Sequence, residues 1–340
     1  MAMTAIRTAP AVRDTLTRVV RPSWAILGAL AFVTLLGVSI PVRWQYAPLV
    51  VSILLFGLPH GAIDHLTIPR ARTHSVTTRS LATVGLLYLV LGGAFVAAWF
   101  VAPVASFVAF ILLTWFHWGQ GDLYVLYEMT PKTRLSSVHR ILLVVVHGGL
   151  PMLVPLLAFP RIYRRVASLL VGTFRPGGVA DIEWLFQPEM RLLLGVGFFL
   201  LVLATLALDW RRSRSLWRID AVETTLLTVY FAAVPPILAI GVYFCVWHSL
   251  RHIARVVCLD DASVRELAEG NLKSPLRRFV HDATPLTVGA LVLLAGLAVV
   301  VPSSPATTPE AVGLYLVFLA ALTLPHVVVV TILDRVQGIW

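Results

Sequence analysis

Charge is scarce in this sequence: 13% of its 340 residues are Asp, Glu, Lys or Arg, against 58% that are hydrophobic. A soluble domain carries roughly 25% charge, so there is too little here to clothe a water-facing surface, and a soluble enzyme or binding module is excluded. Cysteine is almost absent. Cys245 and Cys258 make no disulfide framework and read as small apolar side chains. Internal repeats, low-complexity tracts and polar linkers are also missing, so nothing points to a soluble domain. Lys and Arg number 27 against 17 acidic residues, a formal net charge of +10. On a soluble chain such an excess suggests nucleic acid. In so apolar a chain it is the mark of basic loops on one side of a membrane, and no nucleic-acid partner is expected.

Long apolar runs are abundant, such as Trp24–Ile40, Ser80–Phe100, Arg191–Leu208 and Thr284–Val301. Each approaches the roughly 20 residues needed to cross a hydrocarbon core. Read against breaks at Pro41, Pro48, Pro103, Pro160, Pro235, Pro236, Pro302 and Pro305, they predict an all-α polytopic membrane protein, a bundle of about ten transmembrane helices. The expected spans are near 23–41, 46–65, 80–101, 103–121, 138–158, 189–208, 220–235, 237–256, 284–301 and 311–333. The amphipathic stretch 159–188 is expected to lie in the interface rather than to span. Arg7, Arg13, Arg18 and Arg21 precede the first run with no small-residue cleavage site, the pattern of an uncleaved signal anchor. Residues 1–22 are therefore expected as a basic cytoplasmic segment and 23–340 as a single transmembrane domain. With the N-terminus inside, twenty-one of the 27 Lys and Arg fall on the cytoplasmic side, which obeys the positive-inside rule and predicts a multi-pass protein of the plasma membrane.

Ionisable residues inside spans are costly and mark functional sites. Ten histidines are present, and four spans carry one near the same level. His60 lies in GLPHGAIDH, His117 in WFHWGQGD, His248 and His252 in WHSLRH, and His326 in LPH. All four helices run toward the cytoplasm in the expected topology. Each histidine falls about 11–15 residues into its helix, roughly 16–23 Å of rise, so the clusters share one depth in the cytoplasmic half of the bilayer. His248 and His252 are spaced i, i+4, on one helix face. Ser249 follows the first histidine, where a zinc protease of the HExxH type needs Glu, which excludes that class. Imidazole ligands suit iron, copper or zinc.

Around this set, Asp64 is one helical turn from His60 and is placed either to accept an N–H from a ligand histidine or to sit at a helix end beside Arg70. His65 and His326 are further candidates, as ligands or as groups facing a substrate. Trp115, Phe116, Trp118, Tyr243, Phe244 and Trp247 bracket the histidines and are expected to wall a cavity. Trp24, Trp44, Trp210 and Trp217 read as interfacial belt. Asp122 reads as a solvated loop residue, His147 as a packed polar contact, and His74, His139 and His281 as exposed loop residues.

GLPHGAIDH, FHWGQGD, WHSLRH and the terminal LPHVVVVTILDR resemble the Brp/Blh family of membrane β-carotene 15,15'-dioxygenases, in the family's order and over most of the chain. The resemblance implies Fe2+-dependent cleavage of the central double bond of β-carotene with O2, giving two all-trans retinal. It assigns iron binding, and with it catalysis, to His60, His117, His248 and His252. Expected partners are β-carotene, O2, membrane lipids and, for the product retinal, a rhodopsin. The alternatives are another non-haem iron oxygenase or hydroxylase acting on a lipid, or a transporter or haem-binding membrane protein that uses histidines.

Overall fold

The structure is a computed structural model that describes residues 10–72, 75–131 and 133–340. His74, expected in a loop, and Arg7 lie outside the described residues, as does Lys132. Every regular element described is helical. Nine helices among the described residues are long and apolar enough to cross a membrane. They are α1 (Pro10–Leu35), α2 (Val42–Arg72), α3 (Thr78–Val101), α4 (Pro103–Met129), α5 (Ser137–Ala158), α7 (Pro188–Arg212), α9 (Pro236–Val257), α11 (Lys273–Val300) and α12 (Thr308–Val336). Between them lie α6 (Pro160–Gly172), α8 (Arg214–Ala233) and α10 (Asp261–Ala268).

The expected span 220–235 falls in α8, which has 20 residues. Its Asp220 and Glu223 lower its hydropathy, yet both are fully buried, so protein rather than water receives them. Within 159–188 stand α6 and a 3-10 segment, Gly178–Phe186. At 13 residues, α6 rises only about 20 Å and is too short to span. Its Ala167, Leu170 and Val171 pack inward while Arg164 pairs at the surface with Glu183.

Several helices outlast their apolar runs. The first is already helical at Pro10, well before 23, because Val12, Leu16 and Val20 form an i, i+4 stripe buried in one cluster with Leu126 and Leu143. Likewise α4 continues past 121 through Leu123, Val125 and Leu126, all buried. A hydropathy reading stops where polar residues enter, whereas an amphipathic extension is held by its packed face.

Two groups of helices meet along a seam. In one, α5 packs on α4, α7 and α8, and α8 on α1; in the other, α12 packs on α2 and α3, α9 on α2, and α11 on the Gly57–Ala62 segment of α2. The groups join where α12 meets α4 and α9 meets α1. Outward faces are apolar, with Leu89, Val101 and Val299 more than two-thirds exposed, while carboxylates, arginines and histidines are turned inward. That inversion suits lipid as the solvent.

Close backbone approach fixes the α4–α5 pair. A Cβ on Gly148 would collide with the Trp115 carbonyl oxygen, and one on Gly119 with the Val144 carbonyl oxygen. Gly197 on α7 has open space at the same position. Gly148→Ala is therefore expected to cost about 1–3 kcal/mol by overpacking, whereas Gly197→Ala is neutral or up to about 1 kcal/mol stabilising. Thermal unfolding in detergent reads both, and equal effects would contradict this packing.

Candidate metal centre

The local backbone of α2 and α9 is irregular where it delivers histidines. Phe56 leaves helical geometry (φ −130°, ψ −53°) and restarts α2 as Gly57–Ala62, which carries His60. Gly57 is required there, since a Cβ would strike the Tyr315 hydroxyl and lie 2.7 Å from Phe244 Cε1. In α9, residues Tyr243–Ser249 form a π-helix, a widened turn that is frequent at functional sites. It turns His248 inward, and the α-helical continuation Leu250–Val257 holds His252. His117 comes from the middle of α4 and His326 from α12, one residue after Pro325.

Five imidazoles converge at the seam. His60 lies 5.5 Å from His248, 5.6 Å from His252 and 5.1 Å from His326, centroid to centroid. His117 is 4.7 Å from His248 and 4.6 Å from His326, and His252 is 5.1 Å from His326. All five are buried. Ligand atoms of His60, His117 and His326 all lie within 4.8 Å of one another, as do those of Asp64, His252 and His326. The rings face one another without partners: Nε2 of His248, His252 and His326 and both ring nitrogens of His117 make no hydrogen bond.

A buried polar atom without a partner costs about 1–3 kcal/mol, so several in one place need a common satisfier. Imidazole nitrogens grouped this way are the donor set of a transition-metal ion. The outer hydrogen bonds agree. His60 Nδ1 donates to the Phe56 carbonyl oxygen at 3.1 Å. His326 Nδ1 donates to Asp64 Oδ2 at 2.7 Å, and the Tyr88 hydroxyl donates to the same oxygen at 2.6 Å. In these two rings Nδ1 is engaged and Nε2 is left free of that bond, the arrangement by which outer carboxylates and carbonyls orient ligand histidines. The buried His/Asp cluster is thus able to bind a metal. Arg70 does not pair with Asp64; it reaches Asp282 at 2.6 Å.

Four of the histidines, His60, His117, His248 and His326, open onto a cavity of about 880 Å³, while His252 closes the cluster from behind. The walls are apolar, among them Phe110, Met152, Leu169, Ile240 and Leu316. Trp118 and Phe244 line it, with Phe244 stacked on His248. The other bracketing aromatics sit elsewhere. Tyr243 and Trp247 are buried behind the histidines, Trp115 donates to the Val145 carbonyl oxygen at 2.8 Å, and Phe116 is 37% exposed on the outer face. His65 lines the cavity, its Nδ1 on the Ala62 carbonyl oxygen at 2.8 Å.

Behind the histidines lies an ion cluster that corrects several expectations. Asp122 is not a solvated loop residue: it is buried in α4, accepting from Trp247 Nε1 at 2.9 Å and Arg251 at 3.0 Å. Arg251 also holds Glu223 at 2.6 Å, and Trp24, assigned to the interfacial belt, donates to Glu223 at 2.9 Å. His147 stands between Asp122 and Asp220. His139, expected in an exposed loop, is buried in α5 and meets Asp209 at 2.5 Å. His281 is exposed, though helical. Arg255 pairs with Asp334 at 2.6 Å, so it and Arg251 are not loop charges.

The family profile described as Beta-carotene 15,15'-dioxygenase matches residues 51–334, a range holding all five histidines and Asp64. The chain is 50% identical over 93% of its length, and 92% of the relative's, to the probable beta-carotene 15,15'-dioxygenase Blh of Halobacterium salinarum. It is 31% identical to the probable beta-carotene 15,15'-dioxygenase Brp of the same species, covering 89% of this chain and 88% of that one. A beta-carotene 15,15'-dioxygenase of an uncultured marine bacterium is 26% identical over 86% of this chain and 94% of its own. No solved structure matches the chain significantly.

Removing the cation from the ion cluster strands two buried carboxylates. Arg251→Met is expected to destabilise the protein by about 3–5 kcal/mol. Arg164→Met, at an exposed pair, is expected to cost about 0–1 kcal/mol. Comparable melting temperatures for the two variants in detergent would refute the role given to Arg251.

Proposed function

The chain belongs to the beta-carotene 15,15'-dioxygenase family, and from that premise we propose that it cleaves the central 15,15' double bond of β-carotene with O2, using iron held by His60, His117, His248 and His252. The products are two molecules of all-trans retinal. The observation that carries this reading is the set of unpartnered imidazole nitrogens on the wall of a large apolar cavity. His326, oriented by Asp64, adds a fifth nitrogen donor. Bound ferrous iron supplies the redox-active centre at which O2 is made reactive.

The chain's own residues do the rest. A hydrocarbon offers no hydrogen bonds, so its position is set by cavity shape, which must bring one double bond against the histidines. Trp118 and Phe244 present ring faces beside His248, where they exclude water and favour electron-poor character in the polyene. Adding O2 across one C=C to give two C=O groups needs no outside proton or reductant. The near absence of polar groups on the walls away from the histidines fits that balance. As a multi-pass membrane protein it meets its substrate in the bilayer. We place it in the plasma membrane, with residues 1–22 cytoplasmic before a catalytic transmembrane domain of 23–340, and its retinal available to a rhodopsin.

Expression in cells that accumulate β-carotene, with retinal followed by chromatography, tests the activity. Retinal is expected from the wild type, and about a hundredfold less from His248→Ala at equal protein level, with iron content lowered in parallel. Wild-type yield from that variant would sink the ligand assignment. Two irons per chain, or a haem absorption band, would replace the mononuclear reading. Asp64→Asn keeps the shape but weakens the orientation of His326, so iron affinity is expected to fall about 10–100-fold in a metal titration. An unchanged affinity would remove Asp64 and His326 from the centre.

A further inference from the structure

Among the helices around the cavity, α3 and α11 stand apart. The cavity wall includes Leu81, Gly85 and Tyr88 from α3 and Leu286, Gly289 and Leu293 from α11. Yet among the described residues these two helices share no extended packed interface. Leu81, Leu286 and Leu293 both line the cavity and lie on the exposed outer surface, so the cavity reaches lipid between them. The two glycines are unlike those of the packed seams. A Cβ on Gly57, Gly119 or Gly148 would collide with a neighbour, whereas Gly85 and Gly289 have no atom within 4 Å of that position. Glycine is not needed there for helix–helix approach, and neither has a positive φ. The absent side chains leave an open gap in a cavity wall.

The gap leads to the reactive centre. Tyr88 stands at its inner end, its hydroxyl on Asp64, which in turn holds His326. The rim is apolar, so water and ions have nothing to bind there, and a hydrocarbon dissolved in the bilayer crosses it without desolvating polar groups. We propose that the gap between α3 and α11 is the portal through which the polyene passes sideways from lipid to the histidines, with Gly85 and Gly289 as its two sills. This rests on the carotenoid-cleaving function, and it assigns to two glycines the rate of substrate admission.

Gly85→Phe and Gly289→Phe add a ring at positions where the Cβ itself meets no neighbour. Gly93 and Gly296 provide controls, since they lie on the same two helices with open space at Cβ but do not line the cavity. Two readouts are taken on iron-loaded protein. One is the rate of β-carotene uptake from vesicles, followed by quenching of tryptophan fluorescence, and the other is kcat/KM for retinal formation. Both are expected to fall at least about tenfold in the sill variants, as for a step gated by access, with iron content and thermal stability unchanged and the Gly93→Phe and Gly296→Phe proteins near wild type. Wild-type uptake in the sill variants, or equal loss in the controls, would overturn the portal. A wild type that takes up β-carotene through the sills without cleaving it would overturn the function and leave the portal standing.

Discussion

In hydrocarbon an imidazole nitrogen has no water to turn to, and each one left unpaired counts against the fold by a sum comparable to a large share of a protein's net stability. Five histidines gathered at one seam therefore create a requirement that the remaining chain must meet. A shared cation would satisfy the inward nitrogens, and Phe56 and Asp64 orient two of the rings from outside. The helices that contribute the rings, α2, α4, α9 and α12, come from both packing groups, so the centre also ties those groups together. Metal binding there would stabilise the fold, in the usual sense that a ligand held by the native state favours it.

The stripes of α9 show how the rings are kept in place. His248 and His252 lie on one face, while Trp247, Arg251 and Arg255 follow the neighbouring i, i+4 row. That second row is clamped: Arg251 on Asp122 of α4 and Glu223 of α8, Arg255 on Asp334 of α12. Gln120 adds a contact from α4 to Asp334 at 3.0 Å. The helices that present His117 and His326 are thus bonded to α9 by charges two to three turns or less from the histidines themselves. Buried ion pairs are seldom a net gain in stability. They do fix register, and a centre assembled from four helices depends on register.

Much of this was legible in the residues. Histidines in four separate apolar spans, the i, i+4 pair and the nearby Asp64 are each local patterns, and the fold brings the five rings together. The ion cluster was not legible for a physical reason. Asp122 and His139 fall where apolar runs end, and hydropathy treats that as the end of the helix. In the folded chain both positions continue as helix into protein interior, where a carboxylate meets Trp247 and Arg251 and a histidine meets Asp209. Tyr88 gave no signal because its partner, Asp64, is contacted only through tertiary packing. The roof supplied by α6 was hidden as well: Tyr163, Val166 and Leu169 reach the cavity from a helix too short to stand out as a span.

Recognition of a hydrocarbon divides the molecule into a rigid part and a yielding one. With no hydrogen bonds to register the substrate, the bond cut would be the one that the cavity walls bring opposite the histidines. A small shift of either reference point moves the cut along the polyene. Rigidity must therefore reside in the clamped helices α4, α9 and α12 and in the α6 roof, which packs on α12 and α4. The portal carries the opposite demand, since a rigid slot between α3 and α11 would hold the polyene back. These two helices, like α7, are among the least buried of the spans, about a fifth of their apolar windows being buried. Separation of the soft rim from the bonded core lets substrate admission and cleavage position respond to different residues.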